Sequence, residues 1–153
     1  MNLVGFRLAF EHAGYIEVER GLSVSVAPTE VIVLLKMVAY LDRPYARDRD
    51  LGDIAHILDD FIPATDGRRY GDDVFDADLT FEEVSPFLLG RRLAGIVNDA
   101  EKRLVLRFIE RLVNAEDAAG AQARMLSVAP SRWHREPDAL NLRLMALRRG
   151  LDS

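Results

Sequence analysis

The chain has 153 residues, 49% of them hydrophobic and 29% charged, which is enough apolar material for a core and a length suited to one domain. It has no cysteine, which excludes disulfides, Cys-ligated zinc and thiol nucleophiles, and no apolar run near the roughly 18 residues of a membrane span. A net charge of −5 argues against a general polyanion binder.

The charge is uneven along the chain. Residues 59–83 hold nine acids against Arg68 and Arg69, whereas 131–153 hold five arginines against three acids. The two regions have the signs to pair with each other or with another subunit. Only Lys36 and Lys102 are lysines; all other basic residues are arginine. Met1-Asn2-Leu3 has no basic stretch ahead of an apolar one, so no signal peptide is expected, and a cytoplasmic location fits.

Phe6, Ala9, Phe10 and Ala13 recur at helical spacing over 5–13, and Gly14 is a helix stop. Alternating residues 15–19 and 22–26 on either side of Arg20-Gly21 read as a β-hairpin with one buried face. Two strands alone are marginal in water, so they are expected to pack on helices, extend a sheet or pair with another chain. Pro28 opens a helix whose apolar face is Val31, Leu34, Leu35, Val38 and Ala39, closed by Arg43-Pro44. A second helix spans about 47–60, with Leu51, Ile54, Ala55 and Leu58 facing the core.

Residues 62–78, rich in Asp, Gly and Pro, read as a solvated loop. Thr80 and Glu83 form a capping box for a helix reaching about Val97, which Pro86 should kink or restart. Asn98 and Glu101 form a second box. The Ala-rich stretch 115–126 reads as a helix interrupted at Gly120, and Asp138 as the cap of a last helix to Arg149. The fold class expected is α+β: a short N-terminal hairpin packed on a mainly helical body, one domain over 1–153 with parts 1–60, 61–78 and 79–153.

The densest polar group is Lys36, Asp42, Arg43, Arg47, Asp48, Arg49, Asp50 and Asp53. Lys36 and Arg43 are seven apart and share a helix face; Asp50 and Asp53 are three apart and share another. An antiparallel helix pair brings a Lys, an Arg and two carboxylates to one rim. Lys and Arg suit triphosphate oxygens, and carboxylates suit Mg²⁺. The same residues also read as ordinary ion pairs at a helix–helix turn. Glu17 reads either as a third carboxylate or as an exposed strand residue. His12, His56 and His134 lack metal spacing, and Trp133 reads as a base-stacking or a packing residue.

Residues 26–43 with Lys36-Met37-Val38-Ala39, then Asp50-Leu51-Gly52-Asp53-Ile54 within 47–58, resemble the AbiEii-type nucleotidyltransferases of the polymerase-β-like superfamily. The approach through 5–22 and the element Phe87-Leu88-Leu89-Gly90-Arg91 are also similar to that family. The resemblance implies a partial nucleotidyltransferase-like fold, Lys36 with Asp50 and Asp53 in catalytic roles, and Lys36 and Arg43 on substrate phosphate. It also implies Glu17 and Asp50 as candidate metal ligands, with Mg²⁺ and a nucleoside triphosphate as cofactor and substrate.

The family's catalytic half begins with Gly-Gly or Gly-Ser followed by Asp-x-Asp on a strand. No such element occurs here: Asp48-Arg49-Asp50 precedes a helix, and Asp76-Ala77-Asp78 lies in the acidic stretch. Two-metal phosphoryl transfer needs carboxylates that hold the ions ~3.5–4 Å apart. The chain therefore resembles a C-terminal part, expected to be inactive alone and to use no cofactor alone. Its expected partner is a second copy or another protein, with nucleic acid implied by family analogy only and no membrane. The other reading is a non-enzymatic helical interaction protein, either an antitoxin-like partner or one chain of a split nucleotidyltransferase.

Overall fold

The computed structural model describes residues 5–136 and 138–153. Helix α1 (Phe6–Glu11) leads into a hairpin of β1 (Gly14–Glu19) and β2 (Leu22–Val26). Among the described residues seven further α-helices follow: α2 (Thr29–Asp42), α3 (Asp48–Asp60), α4 (Asp72–Asp76), α5 (Phe81–Ala94), α6 (Asp99–Val113), α7 (Ala118–Val128) and α8 (Ala139–Leu151). The described chain is mainly helical with a small antiparallel hairpin, in agreement with the α+β class.

The core runs from Leu8 to Leu151. Val31, Leu34, Met37 and Val38 of α2 meet Leu51, Ile54, Ala55 and Leu58 of α3, backed by Phe108 and Leu112 of α6. All four α3 positions and Val31, Leu34 and Val38 of α2 are those that the 3.6-residue spacing predicts; on α2 burial also takes in Val33, Met37 and Tyr40, while Leu35 and Ala39 are only partly buried, because other helices pack around it. Tyr40 meets Phe108 edge-on at 5.7 Å. Asn98 caps α6 through Oδ1, which accepts from the N–H groups of Ala100 and Glu101 at 3.0 Å, while Glu101 accepts from the Asn98 N–H at 2.9 Å. The Thr80 N–H likewise donates to Glu83 at 2.9 Å.

Helices α5 and α8 pack backbone to backbone at Gly90 and Gly150. A Cβ built on Gly90 would sit 2.8 Å from Leu151 N, and one on Gly150 2.8 Å from the Phe87 carbonyl carbon. α5 runs on through Pro86 without the expected restart, and Pro86 is itself buried. Gly120 does not interrupt α7 but lies inside it. Asp138 precedes α8 in a left-handed conformation, φ 54°, and makes no side-chain cap.

Two further expectations are corrected. Residues 62–78 are not an open loop, because Arg69 turns inward and is 6% exposed. Its guanidinium donates to the carbonyls of Ile62 at 2.6 Å, Pro63 at 3.0 Å and Phe81 at 2.9 Å, satisfying backbone oxygens that would otherwise be stranded. Ile62 and Val74 are buried with it, and burial lowers the Arg69 pKa from its ordinary value.

The hairpin is the second correction. It forms where expected, with Ile16 opposite Val24 and Tyr15 opposite Ser25, and a bulge between Glu17 and Glu19. It does not pack on the helical body: every residue of both strands is exposed. Ile16, Val18, Leu22, Val24 and Val26 remain 37–58% exposed. Alternation had set up an apolar face, and among the described residues no helix covers it.

Candidate functional site

Lys36 projects from the middle of α2 toward the first turn and a half of α3. Its Nζ lies 3.1 Å from Asp50 Oδ1 and 2.6 Å from Asp53 Oδ2. The i, i+3 spacing of the two aspartates turns both carboxylates toward α2, as the helix geometry requires. Burial works against the ammonium, but hydrogen bonds to Asp53 and Asp50, together with their charges, outweigh it and raise the Lys36 pKa. The pair with Asp50 is the sheltered one, Asp50 being 13% exposed and Asp53 56%.

Arg43 does not join this rim. α2 ends at Asp42, and Arg43 has φ −144° and ψ 69°, so the seven-residue helical spacing from Lys36 fails at its last position. It is 70% exposed, and its ion-pair partner among the described residues is Asp42 at 4.0 Å. Arg47, just ahead of α3, takes the place expected of it, 3.5 Å from Asp50 Oδ2. Glu17 is also elsewhere: its Oε1 accepts the Gly21 N–H at 2.9 Å and closes the hairpin turn.

Beside Lys36 lies an open cleft of about 340 Å³ between α1, α2 and α3. Phe6, Ile32, Leu35 and Ala39 supply its apolar wall, and Lys36 and Asp50 its polar edge. This shape, an apolar slot with a few convergent charges, is the general form of a small-ligand site. The donor set does not fit a resident Mg²⁺. Asp50 Oδ1 and Asp53 Oδ2 each accept from the Lys36 ammonium, and among the described residues no three His, Asp or Glu side chains converge to hold a metal. His12, His56 and His134 belong to no such group, and among the described residues no helix is long and apolar enough to cross a membrane.

A second charged group is hidden in the core. Arg143 is 1% exposed and donates from Nε to Asp59 at 3.1 Å, while its Nη1 lies 2.7 Å from Glu136. Arg132 pairs with Asp59 from the other side and with Asp60 at 3.2 Å. The Arg143 guanidinium stacks 4.6 Å from the ring centre of Trp133, which is 1% exposed and packs as an anchor. Burial pulls the Arg132 pKa down, and the charge of Asp59 with the hydrogen bonds to Asp59 and Asp60 raises it above its ordinary value. These ion pairs join the acidic stretch 59–83 to the arginine-rich stretch 131–153, one of the two pairings that the uneven charge allowed, and the particular partners also left a trace. Asp59 is four residues from Ala55, and Arg143 stands between Leu140, Leu144 and Leu147, so each is a charge on an apolar stripe. The ion pairs between Asp59 of α3 and Arg143 of α8 make it a clasp between the two helices.

No protein-family model matches the chain, and no curated protein or solved structure does either.

Proposed function

We propose that this chain is a nucleotidyltransferase-like protein of the AbiEii toxin type that carries the phosphate-facing lysine and lacks the Gly-Gly/Ser…Asp-x-Asp strands, so that it is inactive alone. The observation that supports this most is the convergence of Lys36 with Asp50 and Asp53 from two helices at the mouth of an apolar cleft. Lys36 and Arg47 bring two positive charges to that mouth. Asp50 and Asp53 hold the lysine in place, and a triphosphate oxygen displaces Asp53, the more exposed of the two, when it binds. No metal-assisted step belongs to the residues present.

The test is to titrate the ¹⁵N-labelled chain with each of the four nucleoside triphosphates, in wild type and Lys36→Met, and to assay labelled-nucleotide transfer in parallel. The expected result is amide shifts confined to α2 and α3, their loss in Lys36→Met, and no transfer. Absence of any response in α2 and α3 refutes phosphate binding. Robust transfer abolished by Lys36→Ala refutes inactivity.

A second reading, an interaction protein or one chain of a split enzyme, draws support from the hairpin. β2 is an edge strand without a charged residue, and the apolar face it shares with β1 is uncovered. Native edges are commonly protected against such pairing. A second copy pairing β2 to β2 about a two-fold axis centred on Val24 sets Leu22 opposite Val26 and Ser23 opposite Ser25, with no like charges facing. A strict monomer by light scattering at micromolar concentration counts against that pairing.

A further inference from the structure

The segment from Arg69 to Val84, on the far side of α3 in sequence from Lys36, leaves three aromatic rings in water: Phe75 is 87% exposed, Tyr70 75% and Phe81 52%. Single exposed aromatics need no explanation, but these three line one cleft of about 530 Å³, over Val74 and Val84, which are buried. The cleft is preformed. Arg69 ties its start to three backbone carbonyls, and Ala77 is buried against Phe87 and Ala146. A ligand therefore meets walls that need little ordering.

Two features give the cleft a chemical preference. The first is an excess of free negative charge. Asp72 and Asp76 on α4, and Asp78 on the cleft wall, are exposed and have no ion-pair partner among the described residues. The cations nearby are engaged: Arg68 pairs with Asp66 at 2.7 Å, Arg69 serves carbonyls, and Arg91 pairs with Asp73. The second feature is a working example of the contact. The Arg69 guanidinium lies over the Phe81 ring, Cζ 4.3 Å from its centre. Among the described residues the rings of Tyr70 and Phe75 have no such cation.

We propose that this aromatic, acid-flanked cleft docks an arginine-bearing peptide segment of a partner protein. A guanidinium is flat and weakly hydrated, so it stacks on an aromatic face while its N–H fork reaches carboxylates; a lysine ammonium does the second but not the first as well. Phosphate-rich ligands are disfavoured by the same carboxylates, which sets this cleft apart from the Lys36 mouth.

Fluorescence anisotropy with a labelled Gly-Arg-Gly-Arg-Arg-Gly peptide, its lysine counterpart and its glutamate counterpart tests the proposal on the full chain. The arginine peptide is expected to bind saturably and roughly 5-fold or more tighter than the lysine peptide, with no binding of the glutamate peptide. Phe75→Ala and Tyr70→Ala, at exposed positions, are each expected to weaken binding by about 5-fold or more. Asp72→Asn with Asp76→Asn is expected to flatten its salt dependence. Equal binding of the arginine and lysine peptides, or affinity unchanged in both aromatic variants, overturns the proposal by reducing the effect to net charge. Oligomers of the wild type that Phe75→Ala abolishes also overturn it, by assigning the cleft to a second copy.

Discussion

The α5–α8 crossing gives the sharpest prediction about the fold. Replacing a helical glycine by alanine in an open site stabilises a helix by about 1 kcal/mol, because the glycine backbone has more freedom to lose. At Gly90 the new methyl would enter the backbone of α8, 2.8 Å from Leu151 N and closer still to the Leu147 carbonyl oxygen. A carbon–oxygen contact relaxes to roughly 3.3 Å or more, so the helices must part by on the order of 1 Å. A gap of that size forfeits a quarter to a half of each dispersion contact along the seam, and overpacking of this kind costs about 1–3 kcal/mol, sometimes more. The steric term wins, and Gly90→Ala is expected to lose ~2 kcal/mol net.

Gly150→Ala meets the Phe87 carbonyl from the opposite helix and is expected to behave alike. The double variant should cost less than the two losses together, since the first methyl has already parted the helices. Gly120→Ala is the control: it sits inside α7 with nothing within 4 Å of its Cβ, and should gain ~0.5–1 kcal/mol. Urea unfolding followed by circular dichroism at constant m measures all four. Gly90→Ala and Gly150→Ala as stable as wild type would show that α5 and α8 are not in backbone contact, and the reasoning fails.

Arg143→Ala leaves the buried Asp59 with Arg132 alone, and Asp59→Ala leaves the buried Arg143 with Glu136 alone; each is expected to cost about 1–3 kcal/mol, while the apolar pair Arg143→Met with Asp59→Leu recovers most of that in the same unfolding assay. The Lys36 pKa is raised, so its stabilising contribution is fully present below its unfolded value of 10.5 and is lost as pH rises through the higher folded value. The stability difference between wild type and Lys36→Met should accordingly stay level from neutral pH and shrink only in strongly alkaline solution. Asp66 shows the opposite sign. Hydrogen bonds from the Arg68 side chain and backbone hold its pKa at about 2, below the ordinary 3.8, so its contribution is present above 3.8 and is lost as pH falls through about 2. An NMR titration of the Asp66 carboxyl should give that midpoint, moving toward 3.8 in Arg68→Ala.

Much of the helical body could be read from the sequence. Apolar spacing located α2 and α3, and Asn98 with Glu101 located the start of α6, because helix faces and caps are set by residues within four positions of one another. The same local geometry paired Lys36 with Asp50 and Asp53 once two adjacent helices were assumed antiparallel. Local patterning misled wherever a distant residue decided the outcome. Arg69 converts an acidic, glycine-containing stretch into an ordered turn by reaching carbonyls six to twelve residues away. Arg43 leaves the rim because the chain must turn between α2 and α3. Gly90 and Gly150 are sixty residues apart and acquire meaning only where α5 and α8 touch, and Asp59 finds Arg143 across the core. Periodicity likewise set an apolar face on the hairpin, but whether a face is covered depends on what packs there, and among the described residues nothing does. Spacing determines which side chains point together along one element; only the packed tertiary structure decides which elements meet, and so which charges are buried, which are spent and which remain free for a ligand.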